Sequence, residues 1–104
     1  MDCVFCSIIK KEVPADIVFE DDKVIVFSDI KPKASTHLLF VPKKHIESVN
    51  QINLEDKELI GHLFLTIKEI AFQKKINNYK LAINVGRGAG QEVLHLHIHL
   101  LSIT

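Results

Sequence analysis

An excess of charge of either sign is missing from this sequence. Lysine and arginine number 13, aspartate and glutamate also 13, and no basic run exceeds two residues, as at Lys10-Lys11, Lys43-Lys44 and Lys74-Lys75. Double-stranded nucleic acid is held chiefly by clustered cations, so it is excluded as the main partner. Long hydrophobic runs are missing too. None approaches the roughly 18 residues of a membrane span, and the N-terminus lacks the pattern of a signal peptide. The expectation is a cytoplasmic protein with no membrane partner. Cysteine is scarce, with two residues. In a cytoplasmic setting the Cys3-x-x-Cys6 spacing reads as a metal or redox pair before a structural disulfide. Repeats, linkers and low-complexity segments are absent, while 47% of the residues are hydrophobic. That supplies one core, so residues 1–104 read as a single ordered domain.

Val4, Phe5, Ile8 and Ile9 fall at helical spacing and predict a short helix within residues 1–11, ended by Pro14. Ile17 to Glu20 reads as a strand, Asp21-Asp22 as a turn, and Lys23 to Ser28 as a second strand rich in Val, Ile and Phe. Pro32 cannot donate to a ladder and closes the segment from Asp29. His37 to Val41 predicts a third strand, stopped by Pro42. One long helix runs from a cap at Asn53 toward Lys74-Lys75, with Glu55, Asp56 and Glu58 near its positive end. Leu59, Ile60, Leu63, Phe64, Ile67, Ile70 and Ala71 form its apolar stripe. Gly61 costs that helix about 1 kcal/mol against Ala, which suggests a close backbone approach there. Tyr79 to Val85 predicts a fourth strand, Gly86 to Gly90 a flexible turn, and Leu94 to Leu100 a fifth strand. The order predicts an α+β domain, a mainly antiparallel sheet of about five strands with helices packed on it.

The chemistry concentrates in Leu94-His95-Leu96-His97-Ile98-His99-Leu100. On a strand, alternation places the three imidazoles on one face about 7 Å apart, with the aliphatic residues packing inward. Such a row can grip zinc, as in some hydrolases. Alternatively the middle imidazole attacks phosphorus, since neutral imidazole is a competent nucleophile near pH 7 and its phosphorylated form is hydrolysed in a second step. Gly86-Arg87-Gly88-Ala89-Gly90, directly upstream, favours the second reading, because glycines let backbone N–H groups turn toward an anion. A plain hairpin connection is the ordinary reading of that loop taken alone. Cys3 and Cys6 with two further nitrogen ligands would complete a tetrahedral zinc site, with His45, His62 and the strand histidines as candidates. His62, at the edge of the helical stripe, reads as a boundary residue. Asp29 is either a turn former or an acceptor for sugar hydroxyls.

His95-x-His97-x-His99, with Asn84, Gly90-Gln91 and Val93 before it, resembles the histidine-triad family of nucleotide-binding proteins. The likeness is strongest to the nucleoside-phosphoramidase (Hint-like) branch and the zinc-containing bacterial proteins near it. Phe19 to Asp22, Phe27 to Pro32 and Thr36 to Ile46 carry the same resemblance, which covers nearly the whole chain. It implies His97 as the nucleophile, His99 holding a phosphate oxygen or the departing group, the His95 carbonyl fixing the His97 tautomer, and His37 as a supporting member. It further implies phosphate contacts from Asn84, Gln91 and main-chain amides near Gly90 and Val93. Asp29 would bind the ribose hydroxyls. Val4, Phe5, Ile8, Phe27, Ile30 and Leu39 would enclose a purine. A structural zinc on Cys3, Cys6, His45 and His95 and a homodimer formed through the long helix and a sheet edge also follow from the resemblance.

The implied substrates are purine nucleoside phosphoramidates or adenylated compounds. Two departures keep a non-catalytic nucleotide-binding or scaffold role open. The branch carries Gly-Gly-Arg and Trp-Pro-Pro-Gly segments after its triad, which the sequence to Thr104 does not contain, and Glu92 stands where the branch usually has Ser. Glu92 is expected to point away from phosphate or to act in proton transfer, and Arg87 to be a solvated loop charge.

Overall fold

The computed structural model describes residues 3–103. Asp21 opens the chain's first hairpin: its Oδ1 accepts from the Lys23 and Val24 N–H groups at 2.8 Å each, an Asx turn that reverses the backbone. The hairpin joins β1 (Ile17–Glu20) to β2 (Val24–Ser28). Three further strands, β3 (Thr36–Pro42), β4 (Lys80–Ala82) and β5 (Ile98–Ser102), complete a sheet of order β1-β2-β3-β5-β4, antiparallel throughout. The short helix α1 is Val4–Ile9 and the long helix α2 is Lys57–Gln73.

Alternation along β2 and β3 divides the core in two. Val24, Val26, Leu38 and Phe40 face α2, together with Ile98 and Leu100, and meet Leu63, Ile67, Ile70 and Ala71. Ile25, Phe27, Leu39 and Val41 face the other way and are covered by Phe5 and Ile8 of α1. Both faces of the central strands are therefore dry. The site develops on the α1 side, at the strand ends next to that second cluster.

Several boundaries depart from the sequence reading. Asn53 does cap the long helix region, but through a 3-10 turn, Leu54–Asp56, in which Asp56 Oδ2 accepts from the Asn53 N–H at 2.9 Å. The short helix ends in a left-handed Lys11 (φ 65°), before Pro14 is reached. Gly61 is exposed with open space around it, so within the chain no backbone approaches it. Of the predicted stripe, Phe64 is exposed and the buried seam is narrower. The fourth strand is three residues long rather than seven.

The fifth strand begins at Ile98, not Leu94. Upstream of it the chain is captured by other acceptors: the Leu96 N–H donates to the Ile46 carbonyl at 2.7 Å, and the His95 ring reaches the Pro42 carbonyl. His95 and His97 consequently do not lie on an exposed strand face. Both are buried. Among the described residues no helix is long and apolar enough to cross a membrane.

Candidate active site and metal centre

His97 sits just before β5, and its Nδ1–H donates to the His95 carbonyl at 2.7 Å. A neutral imidazole carries one proton, so this bond leaves the lone pair on Nε2. Burial, the largest cause, pushes the His97 pKa below the ordinary histidine value, which keeps the ring neutral near pH 7. The Phe5 ring packs edge-to-face against it at 5.0 Å. These are the conditions of an imidazole nucleophile: fixed, neutral and partly dry.

His99 and His37 form a hydrogen-bonded pair beside it. The Lys33 N–H donates to His37 Nδ1 at 3.1 Å, so the His37 proton is on Nε2. That N–H points at His99 Nδ1 (2.9 Å), with Asp29 Oδ2 at 3.4 Å. His99 then accepts at Nδ1 and must carry its own proton on Nε2. The pKa of His99 is lowered to about 4, by burial first and then by neighbouring His97 and His37, and that of His37 is lowered by burial. The chain Lys33–His37–His99 thus presents an N–H donor next to a bare nucleophilic nitrogen. Asp29, His37 and His99 bring ligand-type atoms together, and this hydrogen-bond chain accounts for their proximity.

His95 faces away from this pair. Its Nε2–H donates to the Pro42 carbonyl at 2.8 Å, leaving the Nδ1 lone pair 3.1 Å from His45 Nδ1, 3.4 Å from Cys3 Sγ and 3.7 Å from Cys6 Sγ. Cys6 Sγ lies 3.4 Å from His45 Nδ1. Zinc–nitrogen and zinc–sulfur bonds of about 2.0 and 2.3 Å in a tetrahedron put ligand atoms roughly 3.3–3.8 Å apart, which these spacings approach. The donor set, two thiols and two imidazoles, suits zinc. With no cation, two imidazole nitrogens at 3.1 Å share a single proton at best. His45 Nε2 is buried without a partner in the structure. The four residues fit a closed structural metal. Three histidines converging on one catalytic metal do not form here, because His95, His97 and His99 aim at different partners.

The glycine loop differs from the expected anion cradle. The Gly86, Ala89, Gly90 and Gln91 N–H groups all donate within the loop. Gln91 is buried, and its amide holds the loop together: Nε2–H donates to the Glu47 and Val93 carbonyls, while Oε1 accepts from Gly86. Its side chain is a brace, not a free phosphate ligand. Asn84 Nδ2–H donates to the Ala89 carbonyl at 2.7 Å. Gly90 adopts φ +90°, and a Cβ there would stand 3.4 Å from Asn84 Nδ2.

Of the apolar residues expected around a purine, Phe5, Ile8, Phe27 and Leu39 are buried together, with Val93 packed against their cluster. Val4 is exposed, and Ile30 is 90% exposed. Glu92 and Arg87 are exposed. His62 is more than a boundary residue: its Nε2 lies 2.8 Å from Asp21 Oδ2, joining α2 to the first hairpin. Sequence reasoning missed the parts played by the Lys33 amide and the Pro42 carbonyl, since backbone groups leave no residue-type signal. A cleft of about 530 Å³ lies between Lys23, Lys43 and Lys44 and the start of α2, away from His97. The histidine geometry, not cleft volume, marks the candidate site.

A family described as "Scavenger mRNA decapping enzyme C-term binding" matches residues 2–104. An uncharacterised HIT-like protein of Synechococcus elongatus is 46% identical over 101 residues, covering 96% of this chain and 89% of that protein. Protein HitA of Neisseria gonorrhoeae is 44% identical over 100 residues, covering 95% and 94%. Among solved structures, a HIT family hydrolase from Legionella pneumophila superposes with a TM-score of 0.93 at 45% identity, covering 97% of this chain and 92% of that one. A histidine triad protein from Clostridium difficile gives 0.92 at 41% identity, covering 97% and 90%.

Proposed function

The chain belongs to the histidine-triad family, and on that premise we propose that it is a purine-nucleotide hydrolase whose nucleophile is His97. The family relationship includes hydrolases of the same fold. The proposed substrates are nucleoside phosphoramidates or adenylated compounds, cleaved to the nucleoside monophosphate.

His97 Nε2 attacks the α-phosphorus while the bond from phosphorus to the leaving nitrogen or oxygen breaks. The His99 Nε2–H donates a hydrogen bond to a phosphate oxygen or to that departing atom, which takes its proton from solvent, and His37 holds His99 in the donor tautomer. Water then attacks the nucleotidyl-His97 phosphorus and loses its proton to solvent as the P–Nε2 bond breaks, which returns His97 to its neutral form. The His95 carbonyl binds the His97 Nδ1–H throughout, which stabilises the positive charge the ring gains on attack. Asp29 accepts from the ribose hydroxyls, and Phe5, Ile8, Phe27 and Leu39 form the apolar wall of the base site. Asn84 and the main chain near Val93 lie on the phosphate side.

Cys3, Cys6, His45 and His95 would hold a structural zinc ion, which ties α1 to the segment ahead of β5 and leaves no position open to substrate. A cytoplasmic homodimer, paired through the exposed Phe64, Leu65 and Phe72 of α2 and the β4 edge, is part of the same proposal.

The observation that carries the reading is the neutral His97 ring, fixed by its 2.7 Å bond to the His95 carbonyl. Hydrolysis of adenosine 5′-phosphoramidate by wild type and His97→Ala tests it. Turnover should vanish in the variant while AMP affinity stays within about tenfold, as when a covalent step alone is removed. Unchanged turnover in His97→Ala would contradict the mechanism.

A further inference from the structure

The Cys3–Cys6 pair does more than offer metal ligands. Cys3 caps α1 and Cys6 lies within its first turn, where the Cys6 N–H points at Cys3 Sγ at 3.4 Å. Both cysteines are only partly buried, and their sulfurs stand within 4.8 Å of each other. Residues three apart in a helical turn come close to the separation a disulfide needs.

The same residues bear on the nucleophile along two routes. The first is covalent: His95, which faces both sulfurs with its ring, supplies the carbonyl that holds His97 Nδ1–H. The second is through packing. Phe5, between the two cysteines in sequence, stacks edge-to-face on His97 at 5.0 Å, on His95 at 5.9 Å and on Phe27 at 5.3 Å. The segment carrying His95 and His97 lies outside the sheet ladder, held by single bonds to the Ile46 and Pro42 carbonyls. The Gln91 side chain, donating to the Val93 carbonyl, braces it at its upstream end.

We propose that Cys3 and Cys6 form a reversible oxidation site for hydroperoxides, and that its oxidation releases the metal and loosens His97. The first thiolate takes an oxygen from hydrogen peroxide as the O–O bond breaks, giving a sulfenic acid and hydroxide. The second thiolate attacks that sulfur, forming the S–S bond and expelling a second hydroxide. Two electrons leave the sulfurs and two enter the peroxide, so the step balances. A disulfide sulfur is a poor zinc ligand, and two histidines alone make a weak site, so the ion departs. His45 and His95 Nδ1, 3.1 Å apart, then face each other without a shared cation. The link to turnover rests on the proposed role of His97; disulfide formation and zinc release do not.

The test uses zinc-loaded protein titrated with hydrogen peroxide. Zinc release is followed with a chromophoric chelator, the Cys3–Cys6 bond by intact mass and peptide mapping, and residues 93–97 by hydrogen exchange. One zinc should be released per disulfide, with a mass lower by two hydrogens than the reduced metal-free protein and faster exchange at 93–97. Turnover should fall by about tenfold or more and return with dithiothreitol and zinc. Failure of the reduced protein to bind zinc overturns the proposal. So does zinc retained after peroxide, or sulfinic acid without a disulfide. A disulfide with zinc released but exchange at 93–97 unchanged overturns the coupling. Absence of turnover in the reduced, zinc-loaded protein counts against the hydrolase reading alone, and the exchange measurement then decides the coupling.

Discussion

At the scale of single residues, the site is a set of proton assignments. His97, His99 and His95 differ little in sequence context, yet His97 carries its proton on Nδ1, held by the His95 carbonyl, while His95 and His99 carry theirs on Nε2, set by the Pro42 carbonyl and the His37 ring. The Pro42 and His95 carbonyls each take one ring proton, and the Lys33 amide gives one away. Their alternation marks the strand histidines as candidates for chemistry. The resemblance assigns them as a proposed nucleophile, donor and metal ligand, and the groups that separate them, the Pro42 and His95 carbonyls and the Lys33 amide, belong to the backbone and leave no residue-type signal.

The shared burial of these rings has a measurable consequence. His95 and His99 titrate near pH 4 in the folded chain, and His97 and His37 also below the ordinary value of 6.5. Between about pH 6.5 and 4 the unfolded chain binds more protons than the folded one, so stability falls as pH falls through that window. Above it the histidine contribution is complete. Urea denaturation of the zinc-free protein at pH 7.5 and at pH 5 should show a lower midpoint at pH 5; an equal or higher midpoint would show that the rings are not buried neutral.

At the scale of elements, helical period located the long helix, while the content of Val, Ile and Phe and the bounding prolines and turn residues located the central strands. The Leu63, Ile67, Ile70 seam and the alternating β2 and β3 read correctly because each buries a repeated face against a large partner. The fifth strand was read as starting four residues too early. Its alternation is genuine from Ile98 to Ser102, but ahead of that the Ile46 and Pro42 carbonyls outcompete the ladder. Gln91, which the resemblance implies as a phosphate contact, has its side chain engaged as the brace of that irregular segment. Its replacement by leucine, of similar size, leaves the Glu47 and Val93 carbonyls and the Gly86 N–H without their partner. An unsatisfied buried polar group costs about 1–3 kcal/mol, so Gln91→Leu should unfold at clearly lower urea than wild type. A midpoint unchanged within error would mean that water replaces the brace freely.

At the scale of the whole molecule, one face remains unpartnered. Leu65 is 65% and Phe72 79% exposed on α2, on the side turned away from the sheet. Contiguous exposed apolar patches mark association surfaces, and the open space at Gly61 suits the approach of a second helix. Light scattering should give about twice the 11.8 kDa chain mass, and Leu65→Glu should return it to the monomer. A wild-type monomer would remove the dimer from the account. The dimer is implied by resemblance rather than by pattern, since Leu65 and Phe72 fall outside the apolar stripe that helical spacing picks out.

The central claim is covalent, and mass spectrometry of the quenched reaction reads it directly. Wild-type protein mixed with adenosine 5′-phosphoramidate and stopped in base, where a nucleotidyl-histidine survives longest, should carry one added adenylyl group. Peptide mapping should place that group on His97, and His97→Ala should carry none. An adduct on another residue, or turnover with no adduct trapped while His97→Ala remains active, would contradict nucleophilic catalysis by His97.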